Sequence, residues 1–205
     1  CMNRKFLDEV YKLKNSHETI GFYKDWSNSY DQELFINGYI TPLRCAKALE
    51  TVNASKDEKI MDIGCGTGLS GEAFKKLGFT NIDGSDFSNE MLQIAKSKKI
   101  YSNLILSNNK NQLNFKGVYS NSAAVGVFSP LHAMPDMVSR ILKVAKIGGF
   151  FVFSLNDHAL ENPGYKQAIT DLVDNRNAEV VFEEYGDHLP KIKLNALIFV
   201  LKRLR

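Results

Sequence analysis

A doubly wound α/β sheet is the fold class predicted for this chain, and three observations predict it. Short continuous apolar runs alternate with amphipathic segments, the pattern expected when parallel strands buried on both faces alternate with covering helices. The first run, Ile60-Met61-Asp62-Ile63, leads directly into a turn with Gly64, Gly66 and Gly68 at alternating positions. An acid, Asp86, then closes the next apolar run, about 20 residues after the first glycine, as in a βαβ nucleotide unit.

Each element has a local cause. Ile60, Met61 and Ile63 supply the first strand, and the glycines let the backbone take positive φ and approach a ligand with no Cβ between. The next helix carries Phe74 and Leu77 toward the core and closes at Gly78. Its N-terminal N–H groups and positive dipole end therefore face the turn. Asn81 to Asp86 is the second strand, and Ser88 is the expected N-cap of a helix with Met91, Leu92, Ile94 and Ala95 as its buried stripe. Asn103 to Leu106 is a short buried strand, and Val118 to Phe128 holds a fourth, with Ala123, Ala124, Val125 and Val127. Pro135 suits the first turn of a helix with the stripe Met137, Ile141, Leu142 and Ala145, which Gly148-Gly149 ends before the strand Phe150 to Leu155. A helix from about Pro163 to Arg176, then the strands Val180 to Phe182 and Ala196 to Leu201, complete the series.

Composition narrows the function classes. With 205 residues, 44% hydrophobic content and no low-complexity linker, residues 1–205 are expected to form one domain. No apolar run reaches the roughly 18 residues of a spanning helix and no signal-peptide pattern is present, so a soluble, cytoplasmic protein is expected. Cys1, Cys45 and Cys65 make neither an even disulfide framework nor a metal-ligand spacing, which fits a reducing compartment and no metal. The net charge is +3, and the one dense basic cluster is Lys202, Arg203 and Arg205. That is thin support for a nucleic-acid partner.

Two ligands compete for the glycine turn. Gly66-Thr67-Gly68-Leu69-Ser70-Gly71 satisfies the dinucleotide pattern G-x-G-x-x-G, a weak signal alone. The overlapping pattern, Asp62-x-Gly64-x-Gly66-x-Gly68, resembles the motif of class I S-adenosylmethionine-dependent methyltransferases. Charge separates the two: a carboxylate at Asp62 repels a pyrophosphate and attracts the ammonium of a methionine tail. The competing reading of Asp62 is a cap for loop N–H groups.

The resemblance extends over almost the whole chain. Ser139 to Phe150 is similar to the helix and Gly-Gly junction before the fifth strand of that family, and residues 178 to 202 can supply its reversed final hairpin. It implies a Rossmann-like sheet of seven strands, mostly parallel with the last antiparallel, in which N-terminal helices (1–55) form a lid over a core (56–205). The segments Phe22 to Asp31, Gly38 to Pro42 and Val125 to His132 resemble, more narrowly, the Williams–Beuren-region methyltransferase-like proteins. The implied cofactor is S-adenosylmethionine, leaving as S-adenosylhomocysteine. Asp86 would bind both ribose hydroxyls, and Phe87 would stack on adenine; it can also serve as a hydrophobic staple for its helix. Asp62, Gly64, Cys65, Gly66, Thr67 and Gly68 would form the turn contacts, with Met91, Ala124 and Val125 beside them. The chain departs from the family where an acid usually binds the adenine amino group; Ser107 and Asn108 stand there instead.

Methyl transfer needs alignment and water exclusion rather than a metal or triad. Tyr23, Trp26 and Tyr30 share one helix face, read as a lid over the cofactor with core packing as the alternative. His132, after the fourth strand, is the candidate catalytic base or donor, and an idle loop histidine is the alternative. Asn156, Asp157 and His158 follow the fifth strand at the same edge, whereas His17 and His188 have no such placement. The expected function is methylation of a small molecule. Its rivals are RNA methylation, cofactor binding without transfer and, weakest, an NAD-dependent oxidoreductase. Ser129-Pro130-Leu131-His132 lacks the Pro-Pro-aromatic signature of enzymes that methylate exocyclic base amines.

Overall fold

The computed structural model describes residues 29–108, 115–129 and 133–205. Seven strands form one sheet: β1 (Ile60–Ile63), β2 (Ile82–Asp86), β3 (Asn103–Leu106), β4 (Tyr119–Phe128), β5 (Ala145–Asn156), β6 (Ala178–Leu189) and β7 (Leu194–Arg203). Their order is β3-β2-β1-β4-β5-β7-β6, and β7 runs antiparallel to both of its neighbours. The order reverses between β1 and β4, which opens a crevice at the carboxyl ends of the strands.

Side chains alternate between two packed faces, as the pleat dictates. Phe151, Phe153, Phe199 and Leu201 point to one face, under α5 (Asp136–Leu142) and α7 (Pro163–Asp174). Val152, Ile198 and Val200 point to the other, under α2 (Thr41–Thr51) and α3 (Leu69–Lys76). The remaining helices are α1 (Tyr30–Ile36), α4 (Asn89–Ser97) and the short α6 (Asp157–Leu160). Ser88 caps α4 as expected, its Oγ accepting from the N–H of Met91 at 3.2 Å.

Several expectations are corrected. Ala145 opens β5 rather than closing the α5 stripe, and Gly148-Gly149 lies inside that strand as an irregularity. There, Tyr119 pairs with Ala145 and Asn121 with Phe150, so the extra residues bulge, with Gly148 at φ +83°. Strand β3 is not buried, because it forms a sheet edge; Leu106 is 49% exposed. Strand β6, expected over three residues, extends over 12 through its long pairing with β7. Within the segment expected as a lid, α2 is a core helix, with Cys45, Ala46, Ala48 and Leu49 fully buried.

Candidate cofactor site

A cleft lies at the β1–β4 divide, where open α/β sheets bind their ligands. Ile63, Gly64 and Gly66 line its floor after β1, Asp86, Phe87 and Ser88 one side after β2, and Val125, Gly126 and Val127 the other on β4. Met91, Met137 and Ile141 supply an apolar wall, and Tyr30 of α1 borders the top.

The turn is shaped by backbone conformations that only glycine adopts cheaply. Gly64 sits at φ +70°, and a Cβ there would come within 2.6 Å of Val127 Cγ2. Gly66, at φ +53°, faces open space, since a Cβ would meet nothing within 4 Å. A ligand can therefore lie directly on that peptide. Gly68 begins α3 in the left-handed region.

Asp86 is half-buried beside this opening. Its Oδ2 accepts from the N–H of Gly66 at 2.9 Å and its Oδ1 from that of Ser88 at 2.9 Å. Each carboxylate oxygen has a second lone pair, so the capacity for paired hydroxyl donors remains. Burial raises its pKa, against the pull of the N–H groups of Ser88, Gly66 and Phe87.

Asp62 is fully buried behind the turn. Ser70 Oγ donates to its Oδ2 at 2.6 Å and the Tyr101 hydroxyl donates to the same oxygen at 2.7 Å, whereas Oδ1 is buried without a partner among the described residues. Its donors are side chains, so the loop-capping alternative is not what the structure displays. Burial pushes its carboxyl up to about 6, with Ser70 and Tyr101 lowering it and the charge of Asp86 raising it. An orphaned buried carboxylate oxygen beside a glycine floor fits a ligand with a cationic end.

The other expected contacts separate into groups. Phe87 is 40% exposed and lines the cleft. Cys65 and Thr67 border a smaller adjoining space, together with Tyr39 and Pro42. The Thr67 hydroxyl donates to Asp31 Oδ1 at 2.5 Å, which ties α1 to the turn. Ala124 is buried in the sheet, whereas Val125 reaches the cleft. Ser107 and Asn108 are not among the cleft's lining residues; the Ser107 N–H donates to the carbonyl of Asp86 at 2.8 Å. Tyr23, Trp26 and His132, like His17, lie outside the described residues.

The polar cluster after β5 serves the fold. Asn156 caps α6 by accepting from the Ala159 N–H, and Asp157 accepts from the Tyr185 hydroxyl and the Asn195 N–H. His188, given no placement by sequence, closes β6 at this same edge. Sequence reasoning also missed Tyr101 and Asp31. A signal for Tyr101 was present in Gly71 and Gly84, two glycines that no turn requires.

Comparison with known proteins agrees with this geometry. Residues 60–149 match the family model described as methyltransferase domain. The chain is 27% identical over 165 residues to human methyltransferase-like protein 27, covering 77% of this chain and 65% of that protein. It is 27% identical over 157 residues to the ubiquinone biosynthesis O-methyltransferase of Colwellia psychrerythraea, covering 74% and 62%. The chain thus spans less than two thirds of the length of these curated relatives. The magnesium protoporphyrin IX methyltransferase of Synechocystis PCC 6803, solved with bound S-adenosylmethionine, shares the fold. Its TM-score is 0.70 at 14% identity, over 93% of this chain and 98% of that one. Residues 60–149 thus match a methyltransferase domain, and the sheet has the fold of solved S-adenosylmethionine-dependent methyltransferases.

Proposed function

We propose that this protein transfers the methyl group of S-adenosylmethionine to a small molecule, with the β1–β4 cleft as the reaction site. The observation that carries the reading is the conjunction in one cleft of the bare Gly66 floor, the Asp86 carboxylate and the apolar wall of Met91, Met137 and Ile141. The bound cofactor supplies an electrophilic methyl on sulfur, which a nucleophile aligned with the C–S bond takes as the neutral thioether leaves. The chain's part is to orient and to exclude water.

Asp86 would accept hydrogen bonds from the two ribose hydroxyls, Phe87 and Met91 would flank the base, and the turn from Gly64 to Gly68 would hold the methionine end. Tyr30 covers the cleft from α1, held by the Asp31 contact with Thr67. Among the described residues the lid is read as α1 with Tyr30, while α2 packs in the core. A small-molecule substrate is supported by the modest charge and by the likeness to the ubiquinone biosynthesis O-methyltransferase of Colwellia. His132 is assigned to substrate alignment or proton removal from its place in the sequence after β4.

Calorimetry with S-adenosylhomocysteine and NAD tests the cofactor site: micromolar-range binding of the first and none of the second is expected. Methyl turnover against a metabolite panel and against RNA then tests the substrate class, and turnover on RNA alone would overturn the small-molecule reading. His132→Ala should lower turnover on the order of 10²-fold with S-adenosylhomocysteine affinity unchanged; wild-type turnover returns His132 to an idle loop.

A further inference from the structure

We infer that Tyr101 is a positioning residue for the cofactor: its hydroxyl fixes the buried Asp62 carboxylate behind the glycine turn, so that the negative charge of this acid is held in place for a ligand whose cationic end lies over the turn. The inference rests on the cleft being an S-adenosylmethionine site.

Tyr101 follows α4 and is 39 residues from Asp62 in sequence, yet its hydroxyl donates to Asp62 Oδ2 at 2.7 Å. Ser70 donates to the same oxygen at 2.6 Å. With both donors on Oδ2, the rotation of the carboxylate is set and Oδ1 is the acceptor that stays unpaired among the described residues. The phenol also accepts from the N–H of Gly71 at 3.2 Å, one of the first-turn groups of α3 that no carbonyl of its own helix can serve. One hydroxyl thereby joins the helix N-terminus to the acid behind the turn.

Three glycines make the slot that holds the ring. A Cβ on Gly71 would lie 2.5 Å from the phenol, one on Gly84 2.9 Å from the ring and one on Gly68 3.1 Å from it. They come from a helix, a strand and a turn, so the tyrosine is gripped on several sides and delivers its hydroxyl to one place. The same arrangement disfavours a diphosphate, because the Gly71 N–H is already taken and a buried carboxylate lies behind it.

The titratable groups around Asp62 are Tyr101, Cys65 of the turn, Cys45 of α2 and Asp86 of β2. Burial pushes both thiols and the phenol upward, which leaves them uncharged near neutrality. Asp62 and Asp86 are then the members of this group that change charge in mild acid. Tyr101→Phe keeps the ring in its slot and removes only the donor, so the Asp62 anion loses support and holds its proton to higher pH.

S-adenosylhomocysteine affinity measured by calorimetry at pH 6 and pH 8 tests this. Tyr101→Phe should bind about fivefold more weakly than wild type at pH 6 and within about twofold of it at pH 8. In the Asp62→Asn background, Tyr101→Phe should change the affinity by the same factor at pH 6 and pH 8. An equal loss at both pH values would make Tyr101 a packing residue and overturn the inference, as would no loss at either. If the wild type itself fails to bind, the proposed function falls, and the hold of Tyr101 on Asp62 is judged on the ligand-free protein. There the midpoint of the Asp62-dependent change in unfolding free energy should rise by about one pH unit in Tyr101→Phe, and an unmoved midpoint overturns the inference.

Discussion

Asp62 and His188 are both buried near the carboxyl edge of the sheet, but their surroundings differ in kind. Beside Asp62, two donors serve one oxygen and the other has no partner among the described residues. Around His188, the polar groups serve the architecture. Thr41 Oγ1 lies 2.7 Å from its Nδ1, and Tyr39 packs edge-on at 5.1 Å. Arg44 reaches from α2 to donate to the carbonyls of Glu184, Asp187 and Ala196, which binds the β6–β7 hairpin to the helix. Asn37 Oδ1, at the end of α1, is likewise buried and unpaired among the described residues, so it is the place of Asp62 behind the glycine turn, together with its missing partner, that points to a ligand.

The two groups also respond to pH in opposite senses. Burial pushes the Asp62 carboxyl up to about 6 from 3.8, so between these values the native chain holds more protons than the unfolded one and stability falls as pH rises. Burial pushes the His188 imidazole down to about 4 from 6.5, with Arg44 and His158 assisting and Asp157 opposing. Stability there falls as pH drops, because the unfolded chain takes the proton first. Each contribution is about 3 kcal/mol at most, and over this window they offset one another.

The largest expected effect is therefore an unmasking. In urea denaturation across pH 4 to 6.5, Asp62→Asn should leave stability rising with pH and His188→Gln should leave it falling, each by up to about 3 kcal/mol. Flat profiles in both variants would break the comparison.

A smaller effect sharpens it. Asp86→Ala should weaken S-adenosylhomocysteine binding by about 1–3 kcal/mol, while Arg44→Ala, at the frame end, should lower stability by about 1–3 kcal/mol and leave that affinity unchanged. A ligand effect from Arg44 would mean that the two regions are coupled. The smallest concerns α1: the Asp31 carboxylate also meets Lys98 at 2.6 Å, in a partly exposed pair. Asp31→Asn should speed cofactor dissociation in stopped flow by roughly twofold to fivefold, less so in high salt. Unchanged dissociation would leave Tyr30 as a wall rather than part of a lid.

The sheet, the turn, the strand end at Asp86 and the Ser88 cap were legible in the amino-acid order because their causes are local. Apolar runs, glycines at alternating positions and an acid at a strand end each act within a few residues. The errors fall where longer-range pairing prevails. Ala145 left its helix because β4 offered Tyr119 as a strand partner, and β3 is exposed because its place at the sheet edge is a property of strand order. Tyr101, Asp31 and His188 could be placed only by tertiary structure, since each meets its partner across 36 to 147 residues of chain. Local sequence specifies which backbone can carry a ligand. The closing of the sheet decides which side chains arrive behind that backbone, because hydrogen-bond and charge energies depend on distance in space and not on separation along the chain.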